Sequence, residues 1–204
     1  MPDFASKSRI AYNKKAEGYT DSREGQFTRG LQRLLLAEMK WDEHQSVLDV
    51  ACGNGSLLAA MNKIKPISGY GIDIAEQMIE NAVANNPGME FHVSGCDSMP
   101  FGDGAMDIIT VCAAYHHFPD TAAFAHESKR VLKLNGRVYI AEIYLPFPLR
   151  LFLNPFVPLS SEGDAKFYSP EMICRNFEQC GFKRGSVKIS GNVQIVSMVT
   201  GVEQ

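Results

Sequence analysis

Three aspartates and two histidines stand where chemistry on a bound small molecule is easiest to arrange. Asp49, Asp73 and Asp97 fall at or just beyond the carboxyl ends of short apolar runs, the end at which open parallel sheets bind ligands. The turn Asp49-Val50-Ala51-Cys52-Gly53-Asn54-Gly55 lets backbone approach a ligand closely, because Gly53 and Gly55 carry no Cβ and adopt positive φ without strain. Asp73 follows that turn at about twenty residues, the spacing at which a carboxylate reaches the two ribose hydroxyls of a nucleoside. His116 and His117 lie in the loop Ala113-Ala114-Tyr115-His116-His117-Phe118-Pro119 after a fourth run. Their ordinary pKa suits proton transfer near neutrality, so either is a candidate general base, against the plainer role of shaping a pocket or binding backbone. His44, His92 and His126 read as surface or boundary residues.

The elements that must position these groups alternate between strand and helix patterns. Ser46 to Val50 reads as a first strand, and Leu57, Leu58, Met61 and Ile64 share one helical face until Pro66. Gly69 to Asp73 reads as a second strand, followed by a helix carrying Ala75, Met78, Ile79, Ala82 and Val83. Met89 to Val93 and Asp107 to Cys112 fit third and fourth strands. A helix from Asp120 to Leu132 leads to a fifth strand, Gly136 to Glu142, after an Asn135-Gly136 turn. Ser169-Pro170 opens a last helix that Gly181 closes, and Val187 to Ile189 with Val193 to Val199 flank a hairpin turn at Ser190-Gly191-Asn192. Cap helices precede the sheet within 1–45, one spanning Ser8 to Glu17 and one carrying Leu31, Leu34, Leu35 and Met39.

The 204 residues form one domain, 1–204, and 45% hydrophobic content excludes a disordered chain. A net charge of −3 gives no basic balance for a polyanion, so nucleic acid is not the expected partner. The five cysteines include no C-x-x-C pair, no metal site is expected, and all five read as core or near-core thiols. MPDFASKSRI has no apolar signal-peptide region, so the expected setting is the cytoplasm.

Taken together, these motifs resemble the class I S-adenosylmethionine-dependent methyltransferases, in the small-molecule branch that includes ubiquinone and menaquinone biosynthesis enzymes. Val47 to Gly55 is similar to the family's glycine motif around the methionine part of the cofactor, with Ala51 where Gly is usual. Asp73-Ile74 resembles the ribose-binding acid and its adenine-packing neighbour, Met78 an adenine-pocket methionine, and Cys96-Asp97-Ser98 the acidic loop facing the adenine amino group. Tyr12-x-x-x-Ala16-x-x-Tyr19 resembles the N-terminal pattern whose second tyrosine closes over the cofactor. The resemblance implies S-adenosyl-L-methionine bound by Tyr19, Asp49, Ala51, Gly53, Gly55, Asp73, Ile74, Met78, Asp97, Ser98 and Cys112. It also implies a Rossmann-like α/β fold, a seven-stranded mostly parallel sheet in order 3-2-1-4-5-7-6 with strand 7 antiparallel and helices on both faces.

Absence of a P-loop and of the G-x-G-x-x-G fingerprint agrees with a cofactor that has no phosphate. In-line methyl transfer requires alignment and desolvation more than a nucleophilic side chain. The alternatives are a non-catalytic S-adenosylmethionine-binding module and a nicotinamide-dependent oxidoreductase. Residues 144–168 combine four prolines with many bulky apolar side chains and fit no regular element. They are expected to form a lid over a small, partly apolar acceptor or an interface in a homodimer. A membrane-surface contact is the third reading, and the prolines exclude stable insertion.

Overall fold

The computed structural model describes residues 4–201. Its seven strands are β1 (Ser46–Val50), β2 (Ser68–Asp73), β3 (Glu90–Val93), β4 (Met106–Cys112), β5 (Leu132–Ile143), β6 (Phe182–Ser190) and β7 (Val193–Thr200). They form one sheet in the order β3-β2-β1-β4-β5-β7-β6. Parallel pairing runs from β3 to β5, and β7 is antiparallel to both of its neighbours. This is the sheet implied by the resemblance. Strand order reverses between β1 and β4, so a crevice opens beyond their carboxyl ends, where the glycine turn and the histidine loop lie.

Period-two alternation splits the core between the two faces of the sheet. Leu48, Val50, Ile109, Val111 and Ile140 pack with Phe124 and Val131 of α5 (Thr121–Val131) and Ile173 and Phe177 of α7 (Pro170–Gln179). Val47, Ile108, Tyr139 and Ala141 face Leu31 and Leu35 of α2 (Arg23–Glu38) and Leu57, Leu58 and Met61 of α3 (Ser56–Ile64). α4 (Glu76–Asn85) follows β2, and α1 (Phe4–Lys15) lies across it through Asn13, whose amide donates to Glu76 Oε2 at 2.6 Å and accepts from the Gln77 N–H at 3.0 Å. The predicted caps form: Asp120 Oδ1 accepts from the Ala122 and Ala123 N–H groups at 2.9 Å, and Ser169 Oγ from the Met172 N–H at 3.3 Å.

Several boundaries differ from the sequence reading. α1 begins at Phe4 rather than Ser8 and ends at Lys15, before Gly18 takes a left-handed φ of 73°. β5 starts at Leu132 because Asn135-Gly136 sits inside the strand as a bulge: Leu132 pairs with Met106, and Arg137 with Ile108. β6 extends back to Phe182, which pairs with Thr200 of β7 beyond a bulge between Arg184 and Val187, leaving Val187 and Ile189 exposed on the edge. Within 144–168, α6 (Phe147–Leu153) forms with Pro148 in its first turn, where a missing N–H costs nothing, and one 3₁₀ turn covers Val157–Leu159. Cys52, Cys96, Cys112 and Cys174 are buried and Cys180 is partly buried, all with free thiols.

Candidate active site

The glycine turn leaves β1 through two left-handed positions, Ala51 at φ 57° and Gly53 at φ 53°. Ala51 carries a Cβ there, a strain of about 1 kcal/mol that the usual Gly would avoid. A Cβ placed on Gly53 would meet nothing nearer than Met78 Sδ at 4.0 Å, so the turn's backbone faces open cavity. Gly55 behaves differently. Its φ is 76° and a Cβ would lie 2.6 Å from Asn86 Nδ2 and 3.2 Å from the Phe91 ring, so it seats α3 against its neighbours and does not line the cavity.

Asp73 ends β2 with both oxygens tied to backbone: Oδ2 accepts from the Gly53 N–H and Oδ1 from the Ala75 N–H, each at 2.9 Å. Burial raises its pKa and those backbone donors pull it back, leaving a net rise. Each oxygen retains a lone pair for a hydroxyl on the cavity side. Asp49 is buried more completely. Thr110 Oγ1 donates to its Oδ1 at 2.7 Å, but desolvation dominates and Asp73 adds repulsion, so its pKa rises to about 7.

Tyr19, Asp49, Ala51, Gly53, Asp73, Ile74, Met78, Asp97 and Cys112 share one cavity, together with Tyr12, Gln32 and Ser94. Ser98 is not among its walls: the residue is exposed and its carbonyl accepts from Ser94 Oγ at 2.7 Å, so the acidic loop reaches the cavity through Asp97 and the residues before it.

The two histidines point to different places. His117 lines the cavity and its Nε2 lies 3.1 Å from the Tyr12 hydroxyl, which itself donates to Glu24 Oε1 at 2.7 Å. His116 does not line it. Its ring is buried, with Nδ1 2.9 Å from Glu142 Oε2, and burial, which lowers its pKa, is outweighed by the Glu142, Asp164 and Glu162 charges. Glu142 is buried yet held below the usual carboxylate range, since His116 and the His116 and Ile143 N–H groups outweigh its desolvation. The segment 160–168 straps across this loop: the Ala165 N–H reaches the His116 carbonyl at 2.7 Å, and Ser8 Oγ donates to the Glu162 carbonyl at 2.8 Å. By contrast, the bulky residues ahead of the strap face outward, Phe152 with 69% and Leu159 with 78% of their surface exposed. They do not line the cavity.

Glu142 and Asp164 thus join a site read from the sequence as His116 and His117, and Tyr12, read there only as the first tyrosine of the N-terminal motif, stands beside His117. A charge inside the apolar run Val138 to Ile143 was a signal for Glu142. Asp164 gave none.

A family model described as "Methyltransferase domain" matches residues 48–140. A demethylmenaquinone methyltransferase of Chlorobaculum parvum is 33% identical over 170 residues, covering 72% of this chain and 69% of that protein. One from Thermotoga maritima is 33% identical over 161 residues, covering 68% and 70%. The chain belongs to the S-adenosylmethionine-dependent methyltransferase family. A geranyl diphosphate C-methyltransferase of Streptomyces coelicolor, solved with S-adenosyl-L-homocysteine, shares the fold with a TM-score of 0.76 at 9% identity, covering 97% of this chain and 98% of that one. As a methyltransferase the chain takes S-adenosylmethionine as methyl donor. Its cavity has a chemistry compatible with that cofactor: backbone open to a ligand at Gly53, a carboxylate at Asp73 held by the Gly53 and Ala75 N–H groups, and apolar walls at Ile74 and Met78. Among the described residues no helix is long and apolar enough to cross a membrane.

Proposed function

We propose that this methyltransferase methylates a ring carbon of a small hydroxylated acceptor with an apolar body, a quinol-like molecule. The observation that carries the reading is the placement of Tyr12 and His117 on the wall of the cavity that also holds Asp73 and the glycine turn. The naming of both bacterial relatives for demethylmenaquinone methylation supports the acceptor class.

In this reading Asp73 holds the ribose, the turn at Gly53 carries the methionine part, Ile74 and Met78 flank adenine, and Asp97 faces its amino group. Tyr19 and Cys112 close the cavity around the reacting end, and Asp49 faces the cofactor's positive charge. The acceptor's hydroxyl rests against Tyr12 and His117 and gives its proton to solvent water, which pushes electron density onto the ring. S-adenosylmethionine held in the cavity would supply the methyl group to a ring carbon, the methyl–sulfur electron pair staying on the thioether that departs. The ring proton then passes to solvent water and aromaticity returns. Alignment and exclusion of water supply most of the acceleration.

His117→Ala is expected to lower kcat about 10–100-fold while the Kd for S-adenosylhomocysteine changes less than about threefold. Steady-state kinetics on a short-chain quinol beside calorimetry checks this; weakened cofactor binding with unchanged kcat would move His117 to the cofactor side. The expected lid role of 144–168 is kept in this proposal: Phe152 of α6 and Phe156 just after it lie outside the cavity and would have to fold over its mouth to cover the acceptor's apolar body. Phe152→Ser with Phe156→Ser should raise the acceptor KM about tenfold, from loss of roughly 1.5 kcal/mol of apolar contact. A change in oligomeric state on size-exclusion chromatography with KM intact would make that face an interface between copies.

A further inference from the structure

Beside the cofactor cavity, three acceptor atoms converge with no basic side chain among them. Tyr12 has one proton, and it goes to Glu24 Oε1 at 2.7 Å. The 3.1 Å contact between Tyr12 and His117 Nε2 therefore needs its proton from the imidazole, which leaves Nδ1 as the nitrogen with a free lone pair. That Nδ1 is buried, makes no hydrogen bond, and belongs to a side chain with 10% of its surface exposed. It lies 3.0 Å from Asp164 Oδ1, without the alignment of a hydrogen bond. His116 repeats the pattern. Its Nδ1 is committed to Glu142 Oε2 at 2.9 Å, and its Nε2 faces the same Asp164 oxygen at 3.4 Å.

Two imidazole nitrogens and one carboxylate oxygen brought this close form a ligand set for a cation. Among the described residues no lysine or arginine pairs with Asp164 or Glu142, and the nearby Lys15 is spent on Glu24 and Glu162 at 2.6 and 2.7 Å. We propose that His116 Nε2, His117 Nδ1 and the Asp164 carboxylate bind a divalent transition-metal ion of the zinc type. Ligand atoms about 2.0–2.1 Å from a shared ion sit roughly 3.0–3.4 Å from one another, the separations each imidazole nitrogen has from Asp164. The three ligand atoms all lie within 4.8 Å of one another.

The surroundings are those of a metal site as well. The other nitrogen of each ring is anchored, by Glu142 for His116 and by Tyr12 for His117, which fixes tautomer and orientation. The loops are clamped by the Ala165 and Lys166 N–H groups on the His116 carbonyl, and Gly163, at φ 77°, fits so closely to Phe4 and Ser8 that a Cβ would lie 2.4 Å from the Phe4 carbonyl oxygen. Three protein ligands leave a tetrahedral ion one open position. The ion would pin the 160–168 strap to the histidine loop and set the orientation of His117 at the cavity wall.

The test uses full-length protein stripped with a chelator and titrated with Co²⁺, then with Zn²⁺. One equivalent with visible ligand-field bands, displaced by zinc, is expected, and X-ray absorption of the zinc-loaded protein should show two imidazoles on the metal. Asp164→Asn and His116→Ala should abolish that equivalent, and Glu142→Gln should weaken it about 10–100-fold. S-adenosylhomocysteine calorimetry on each variant identifies those that remain folded. Absence of a stoichiometric equivalent, one imidazole or none on the metal, or undiminished binding in a folded Asp164→Asn variant would overturn the site. These readouts need no acceptor, so metal binding without quinol turnover would overturn only the proposed function, and turnover without metal binding only this site.

Discussion

Asp73→Ala should weaken S-adenosylhomocysteine binding about 100-fold in calorimetry. The carboxylate's fixed bonds to the Gly53 and Ala75 N–H groups aim its remaining lone pairs at the cavity, so in the proposed binding mode the ribose hydroxyls meet an acceptor that needs no reorganisation. Two charge-assisted hydrogen bonds contribute roughly 1.5–3 kcal/mol each, and about 2.7 kcal/mol in total already gives a hundredfold change. The substitution also strips the Gly53 N–H of its partner and loosens the turn proposed to carry the methionine part. A double-mutant cycle separates these effects. A cofactor analogue lacking both ribose hydroxyls should lose most of its disadvantage in the Asp73→Ala protein, and equal losses in both proteins would place the ribose elsewhere.

Asp49→Asn should stabilise the ligand-free enzyme at pH 8 while weakening its hold on S-adenosylmethionine. The Asp49 carboxyl ionises near 7 when folded, chiefly through burial, against about 3.9 in an unfolded chain. Between these values the folded state holds a proton that the unfolded state has released, so stability falls as pH rises from about 4 to 7. Above 7 the whole cost is present, on the order of 4 kcal/mol as an upper figure. Asparagine removes that charge and keeps an oxygen to accept from Thr110, so Tm at pH 8 should rise by several degrees and its fall between pH 5 and 8 should flatten. The bound cofactor brings sulfonium and ammonium charges that favour the ionised carboxyl. Wild-type affinity should therefore fall below pH 7, by at most about tenfold for each further unit, and the Asn variant should lose this dependence. Thermal melts and calorimetry across that range decide it; an unchanged pH profile would place the cofactor's positive charge away from Asp49.

Such effects were legible in the sequence where they depend on neighbours along the chain. β1 to β4 follow from alternating or continuous apolar runs, the Asp120 and Ser169 caps from side chains reaching N–H groups two or three residues ahead, and the Asp73 site from a strand end behind a glycine turn. Residue type at Gly53 and Gly55 was equally plain, but both looked like cofactor glycines. Only the packing of Asn86 and Phe91 assigns Gly55 to seating α3.

Periodicity and spacing therefore determined alternating strands and helices, the turn at Gly53 and the strand-end acid at Asp73, while the order of the strands came with the family resemblance. Which way each side chain faces was decided in three dimensions. Adjacent histidines are chemically alike in sequence, yet Glu142 draws His116 into the protein while His117 turns to the cavity and Tyr12. Asp164 joins them from far along the chain because the 160–168 strap is held by His116's own carbonyl. The bulky residues of α6, too apolar to read as surface, stay outside because helix formation after Pro146 carries them past the cavity. Local propensity sets elements and their order, but a contact between residues 116 and 164 exists only after sheet, helix and strap have packed, so no window of sequence contains it.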